Sequence, residues 1–259
     1  MSTYTYPAPA PSRVLRLPRL SGGWAQVALF ALAYLVYSGA RYFTIGDLGE
    51  ATANAHWIVD LEDKLGVGIE SAVQTGLTGT VVLWLLNHAY LAAQLVILPG
   101  ALWFLHRTAR PAYRTLRNTV LATWLLSIPV YGLFPVAPPR LAGIGMVDTI
   151  SSQTGFAMDS SLTTSFYNEL AAVPSLHVGF AFAVGIAVAS ATSNRWLKVA
   201  GHLWGPIVAL AVVATGNHYV FDIVAGMVAA AIGYGLGRLV AKGTTAAGRY
   251  AGPELRGVY

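Results

Sequence analysis

Apolar and polar positions fall into long blocks along this chain. Apolar runs occupy Trp24 to Phe43, Val81 to Leu105, Asn118 to Val136, Pro174 to Ala191, Val199 to Thr215 and Tyr219 to Ala241. Each is long enough for a helix to cross the hydrocarbon core of a bilayer, and Pro129 is placed to kink the third. Residues 44–80 follow a different rule. There Ala51, Ala55, Ile58, Leu61 and Leu65, then Ile69, Val73 and Leu77, recur at helical spacing among polar neighbours. Gly66 and Gly68 divide that stretch into two short amphipathic helices, expected to lie along the outer membrane interface. Residues 137–173 open with Ala137-Pro138-Pro139-Arg140 and form the longest irregular segment, with a short helix expected over Leu162 to Leu170. A loop of this length in a compact bundle usually carries function. The pattern predicts an all-α polytopic membrane protein: six transmembrane helices with short amphipathic interfacial helices on the outer side. Residues 24–241 form one domain, with a disordered cytoplasmic tail at 1–23 and a second tail at 242–259.

Composition supports that reading. The chain is 55% hydrophobic and 10% charged, whereas a soluble domain carries about 25% charged residues. The net charge of +5 would suggest nucleic acid in a soluble chain. Here it is assigned to topology and anionic lipid, and no nucleic acid is expected. Without cysteine there are no disulfides and no thiolate metal sites. A signal peptide is the rival reading of the first run, since the tail is basic and Ser38-Gly39-Ala40 is a small-x-small site. The run is long for a signal core, and either outcome leaves the next residues outside.

Threading six spans from a cytoplasmic N-terminus tests the topology. The inner segments then hold Arg13, Arg16, Arg19, Arg107, Arg110, Arg114, Arg117, Arg195, Lys198, Arg238, Lys242, Arg249 and Arg256. The outer segments hold Arg41, Lys64 and Arg140. This positive-inside bias places both termini in the cytoplasm of a plasma-membrane protein.

The same threading brings the candidate chemistry to the outer face. Pro174-Ser175-Leu176-His177 opens one apolar run, and Asn217-His218-Tyr219-Val220-Phe221-Asp222 opens another. One out-and-back passage separates them, so both histidines return to the same side. His218 and Asp222 are four apart and share a helix face. Asp222 can accept from one ring nitrogen of His218 and leave the other free to react. Two such histidines suit a two-step displacement at phosphorus: His218 attacks, and His177 first protonates the leaving oxygen and then activates the acceptor. Both stand at helix N-termini, whose N–H groups and dipole favour an anion. Arg140 could hold phosphate oxygens bidentately. The scheme needs no cofactor and no metal. Asn87 and His88 lie at membrane depth and line either a helix contact or, with Asn217 and Tyr219, the substrate pocket. His56, His106 and His202 are read as packing residues.

These residues resemble a family. Pro-Ser-x-His followed by His-x-x-x-Asp looks like the type-2 phosphatidic acid phosphatase superfamily, which includes the vanadium haloperoxidases. The resemblance covers about residues 81 to 241. It implies a six-helix core, His218 as nucleophile oriented by Asp222, His177 as acid and base, and Ser175 as a phosphate ligand. The chain departs from the common phosphatase pattern. Leu176 stands where that pattern has Gly, Ala211 and Val212 where it has Ser-Arg, and Trp103 where it has the lysine of its upstream motif. Pro-Ser-Leu-His, His-Tyr-x-x-Asp and the stretch from Phe134-Pro135 to Pro139-Arg140 look more like the inositol phosphorylceramide synthase branch. That branch moves a phosphorylated head group between lipids. Arg140 and Arg41 would then supply the missing positive charge. The expected partners are the bilayer and a lipid phosphate or phospholipid substrate. The rival readings are a lipid phosphatase using water, a proton-coupled transporter with His177, His218 and Asp222 as its relay, and a catalytically inactive lipid-binding protein.

Overall fold

The computed structural model describes residues 22–44, 46–161, 164 and 168–249. Arg13, Arg16, Arg19 and Arg256 lie outside the described residues, as do most of the expected N-terminal tail, part of the C-terminal tail and most of the helix expected over Leu162 to Leu170. Contacts divide the chain into two compact units, residues 1–36 and 37–259. The first helix, α1 (Gly23–Thr44), runs from one into the other, and the second unit holds everything that follows.

Local chemistry sets the helix ends. In α2 (Leu48–Leu65), Asp47 caps the amides of Gly49 and Glu50, and Gly66 ends the helix in the left-handed conformation. The second short helix is α3 (Glu70–Leu77). Thr80 caps α4 (Val81–Ala92), which continues through a π turn at Ala93–Ile97 into α5 (Leu98–Thr108). Pro99 follows that turn; its ring conflicts with the carbonyl four residues earlier, a common reason for a widened turn. Helix α6 (Arg110–Leu133) begins after a single residue, so Arg110, Arg114 and Arg117 lie within the helix and not in a basic turn. In the long loop that follows α6, Asp148 caps α7 (Thr149–Thr154). The final three helices are α8 (Leu176–Ala191), α9 (Arg195–Ala214, capped by Asn194) and α10 (Val220–Arg249).

Among the described residues, four helical stretches are long and apolar enough to cross a membrane: Gly23–Tyr42, Val81–Thr108, Arg195–Ala214 and Val220–Val240. Helix α8 is apolar but only 16 residues long, and three arginines occupy the first part of α6. With these spans the chain has the make-up of an all-helical membrane protein.

The amphipathic stretch follows its apolar pattern only in part. The buried positions of α2 are Ala51, Ala55, Ile58 and Glu62, and those of α3 are Glu70 and Gln74. Leu65 is 66% exposed and Ile69 48% exposed. The inward face of α2 buries Ala51, Ala55 and Ile58 as the spacing predicts and then continues into Glu62, and α3 adds Glu70 and Gln74, which meet backbone groups in need of partners. Gln74 shows this directly. Its amide bonds Val147 through both N–H and C=O, and it donates to the carbonyl of Ala214 at 3.2 Å.

Helix α8 packs on α9, α10 and α6, and α9 also packs on α4. One apolar core joins Leu83, Leu86 and Tyr90 of α4 to Val178 and Ala181 of α8 and to Val208 and Ala211 through Ala214 of α9. A second joins Ala51, Ala55 and Ile58 of α2 to Val136, Ala137, Ala172, Val173 and Tyr219. The ends of the long loop between α6 and α8 are tied together by an isolated parallel bridge between Val136 and Ala171. His218 lies where the two cores meet: its amide donates to Val212 of the first, and its neighbour Tyr219 belongs to the second.

Candidate active site

Helix α9 ends in a tight turn that delivers His218. Gly216 has φ +71°, a conformation that favours glycine, and a Cβ there would come within 2.9 Å of the Val147 carbonyl oxygen. The amides of Gly216, Asn217 and His218 donate back to the carbonyls of Val213 and Val212, closing the helix. Asn217 and His218 thus sit on a rigid corner just before α10 begins.

The starts of α8 and α10 are in direct backbone contact. The amide of Ser175 donates to the carbonyl of Asp222 at 3.1 Å. A Cβ on Gly226 would lie 2.3 Å from the Ser175 carbonyl oxygen, so only glycine permits this approach. The contact sets the two histidines side by side, with ring centroids 6.2 Å apart and planes inclined by 55°. His218 Nδ1 donates to Asp222 Oδ2 at 3.1 Å, which leaves Nε2 as the second ring nitrogen. Asp222 is fully buried and His218 is 6% exposed. Its orienting carboxylate therefore works where water competes little. The ring of His177 stacks on Tyr90 of α4, at 4.1 Å and 17°. Tyr90 had no sequence signal beyond lying one helical turn from Asn87.

Arg140 reaches the same corner from the long loop. Its amide donates to Gly216 O at 2.9 Å, its Nε donates to Asn217 Oδ1 at 3.1 Å, and Nη2 lies 3.8 Å from Glu169 Oε1. Tyr219 is fully buried and its hydroxyl donates to the carbonyl of Ala137. Ser175 is buried and its Oγ accepts from the amide of Val178, as an N-cap.

The remaining sequence candidates are engaged elsewhere. Asn87 donates to Gln153 and accepts from Thr149, tying α4 to α7. His88 hydrogen-bonds the carbonyl of Trp84 and stacks on that indole. Arg41 donates to the carbonyl of Thr164. One turn earlier on α1, Tyr37 accepts from the amide of Asn168, so one helix face grips the far part of the long loop. His56 hydrogen-bonds the carbonyl of Ala142 and so packs α2 against the loop.

The two helix starts do not offer the same group to an anion. The α10 amides are occupied by carboxyl oxygens: Tyr219 donates to Asp222 Oδ2 at 3.0 Å, Val220 to Glu70 Oε1 at 2.7 Å and Phe221 to Glu62 Oε1 at 2.6 Å. The expectation that both starts present their N–H groups to phosphate therefore fails for α10. Glu62 and Glu70 were missed because Leu61 and Ile69 beside them make the stronger apolar pattern. The signal was present, since Glu62 continues the Ala51, Ala55, Ile58 series by one more turn. Among the described residues, no group of three or more histidine, cysteine, aspartate or glutamate side chains is disposed to hold a metal ion.

No curated protein and no solved structure matches the chain. A family model described as the PAP2 superfamily matches residues 56–236. That span is well over half of the chain and takes in both histidine motifs, the long loop and the two glutamates. The chain therefore belongs to the PAP2 superfamily, whose members are generally phosphatases and phosphotransferases.

Proposed function

We propose that the protein is an integral membrane lipid phosphotransferase that works through a phosphohistidine on His218. The observation that carries this reading is the buried His218–Asp222 pair facing His177 across backbone-locked helix starts. Nε2 of His218 forms a bond to phosphorus as the bond to the leaving oxygen breaks, and His177 gives that oxygen its proton. In the second step His177 takes the proton of the acceptor hydroxyl, whose oxygen displaces His218 from phosphorus. Asp222 holds the tautomer throughout. Ser175 and the first-turn amides of α8 bind the phosphoryl oxygens, with Arg140 as the cation from the loop. Asn217 positions Arg140, and Tyr219 braces the corner.

Two features support transfer to an alcohol over hydrolysis. The nucleophile is buried, which limits access by water. The motifs Pro174-Ser175-Leu176-His177 and His218-Tyr219-Val220-Phe221-Asp222 resemble those of the inositol phosphorylceramide synthase branch. In this reading α6 and α8 also cross the bilayer, giving six spans, with α2 and α3 lying along the outer interface. The termini are cytoplasmic, the protein resides in the plasma membrane, and the site opens outward, opposite the arginines of α6 and the start of α9.

The test is turnover by purified protein in vesicles containing a phospholipid or lipid phosphate donor, with and without an alcohol-bearing acceptor lipid. Vanadate mimics five-coordinate phosphorus, so the expected result is vanadate-sensitive appearance of label in the acceptor. Release of inorganic phosphate alone would assign a phosphatase. No turnover, with proton-dependent uptake instead, would assign a transporter.

A further inference from the structure

We propose that Glu62 and Glu70 are positioning residues for His218: they fill the amide end of α10, lock the helix that orients the nucleophile, and leave the start of α8 as the anion-binding end. This rests on the phosphotransfer reading. Neither glutamate needs to touch substrate. Glu62 comes from the last turn of α2 and Glu70 from the first turn of α3, and each is bonded to a successive amide of α10 more than a hundred positions later in the chain. Both are buried, at 2% and 6% exposure. Asp222 takes the preceding amide and the His218 ring with one oxygen. Three carboxyl groups thus converge on three consecutive N–H groups directly behind the nucleophile. An anion brought to that end would meet carboxyl oxygens, whereas the α8 start carries only the Ser175 hydroxyl.

The cap holds more acceptor oxygens than donors. Glu62 Oε2 and Asp222 Oδ1 are buried with no hydrogen-bond partner, an arrangement that favours a neutral carboxyl. Burial first, and then the charges of Glu70 and Asp222, push Glu62 from its ordinary value near 4.5 up to about 8. The titratable groups facing it are Glu70 from α3, Asp222 from α10 and Tyr219 at the corner. At neutral pH, Glu62 accepts from Phe221 as a protonated acid. As pH rises through about 8 it ionises, and a further negative charge enters the cap beside Asp222.

The experiment has two arms on the full chain in vesicles. Amide hydrogen exchange at Val220 and Phe221 reads the cap whether or not the protein turns over. Protection at these amides is expected to drop by about tenfold or more in Glu70→Ala and Glu62→Ala, and to persist in the glutamine variants, which keep the acceptor oxygen. Kinetics then read the positioning. The alanine variants are expected to lose about 100-fold in kcat with KM within about threefold. Glu62→Gln, which mimics the protonated acid, should recover most of that loss. Between pH 7 and 9 wild type should lose about tenfold in kcat as Glu62 ionises, and Glu62→Gln should lose much less. If the alanine variants fail to fold, the glutamine variant and its pH profile carry the test. Unchanged exchange at 220 and 221, or an alkaline fall that persists in Glu62→Gln, would overturn the proposal. Absence of turnover in wild type would instead overturn the phosphotransfer reading, and the exchange arm would still decide the cap.

Discussion

The starts of α8 and α10 look alike in sequence, each a polar corner with a histidine ahead of an apolar helix, yet they are built for different work. At α8 the cap is a neutral hydroxyl, Ser175, and the histidine ring is held by stacking on Tyr90. At α10 the cap is three carboxyl groups, and the ring is held by a hydrogen bond to Asp222. A positive helix end left open attracts phosphate; the same end filled with carboxyls repels it and stiffens the helix instead. On the proposed mechanism this difference suits one histidine to hold and release a proton beside the anion, and the other to attack from a fixed frame.

Exchanging the roles is the most severe way to break this comparison. His218→Ala is expected to cut turnover by about 10^4-fold or more, as loss of a nucleophile does. His177→Ala should cost less, about 10^2 to 10^4. The sharper readout is the intermediate: with a labelled donor and no acceptor, an acid-labile phosphoprotein should form in wild type and should not form in His218→Ala. Label trapped in His218→Ala would reverse the two assignments.

Asp222→Asn keeps the side chain's size but not its charge, so the His218 tautomer is no longer held. A fall of about 10^4 in kcat is expected, with thermal stability lowered only modestly. A rate near wild type would reduce Asp222 to a helix-end acid and erase the contrast with α8.

Arg140 tests whether the anion really belongs to the α8 side of the site. Arg140→Ala should cost about 10^2 to 10^3 in kcat. Arg140→Lys, which keeps the charge but loses the planar fork and its contact with Asn217, should fall between alanine and wild type. Full activity in the lysine variant would show that phosphate is held elsewhere, with Arg41 the next candidate.

The gentlest test leaves chemistry untouched and asks which side of the membrane the two helix starts face. The chain lacks cysteine, and Ser152 of the long loop and Ser193 before α9 are both exposed. Ser152→Cys should react with a membrane-impermeant thiol reagent on intact cells and Ser193→Cys should not, with activity unchanged in both. The opposite labelling would turn the site to the inner leaflet.

Much of this architecture could be read in advance, because spacing along one chain suffices for it. The four-residue step from His218 to Asp222 places them on one helical face. Each apolar run marks a helix, although α6 begins eight residues before its run and α10 ends eight residues after its own. The out-and-back passage through α8 and α9 returns both histidines to one side. Gly66 and Gly68 were visible as a break between α2 and α3. What the pattern could not show is which face of an amphipathic helix turns inward. In water the apolar stripe would be buried. Ala51, Ala55 and Ile58 are buried as their spacing predicts, but Leu65 and Ile69 face outward while Glu62, Glu70 and Gln74 turn in toward backbone groups in need of partners. Only the tertiary structure brings those glutamates to the amides of Val220 and Phe221, Tyr90 to the ring of His177, and Arg140 to Asn217. Each is a contact between groups far apart in sequence, and the buried donors that need them appear only once α8 and α10 have crossed at Gly226.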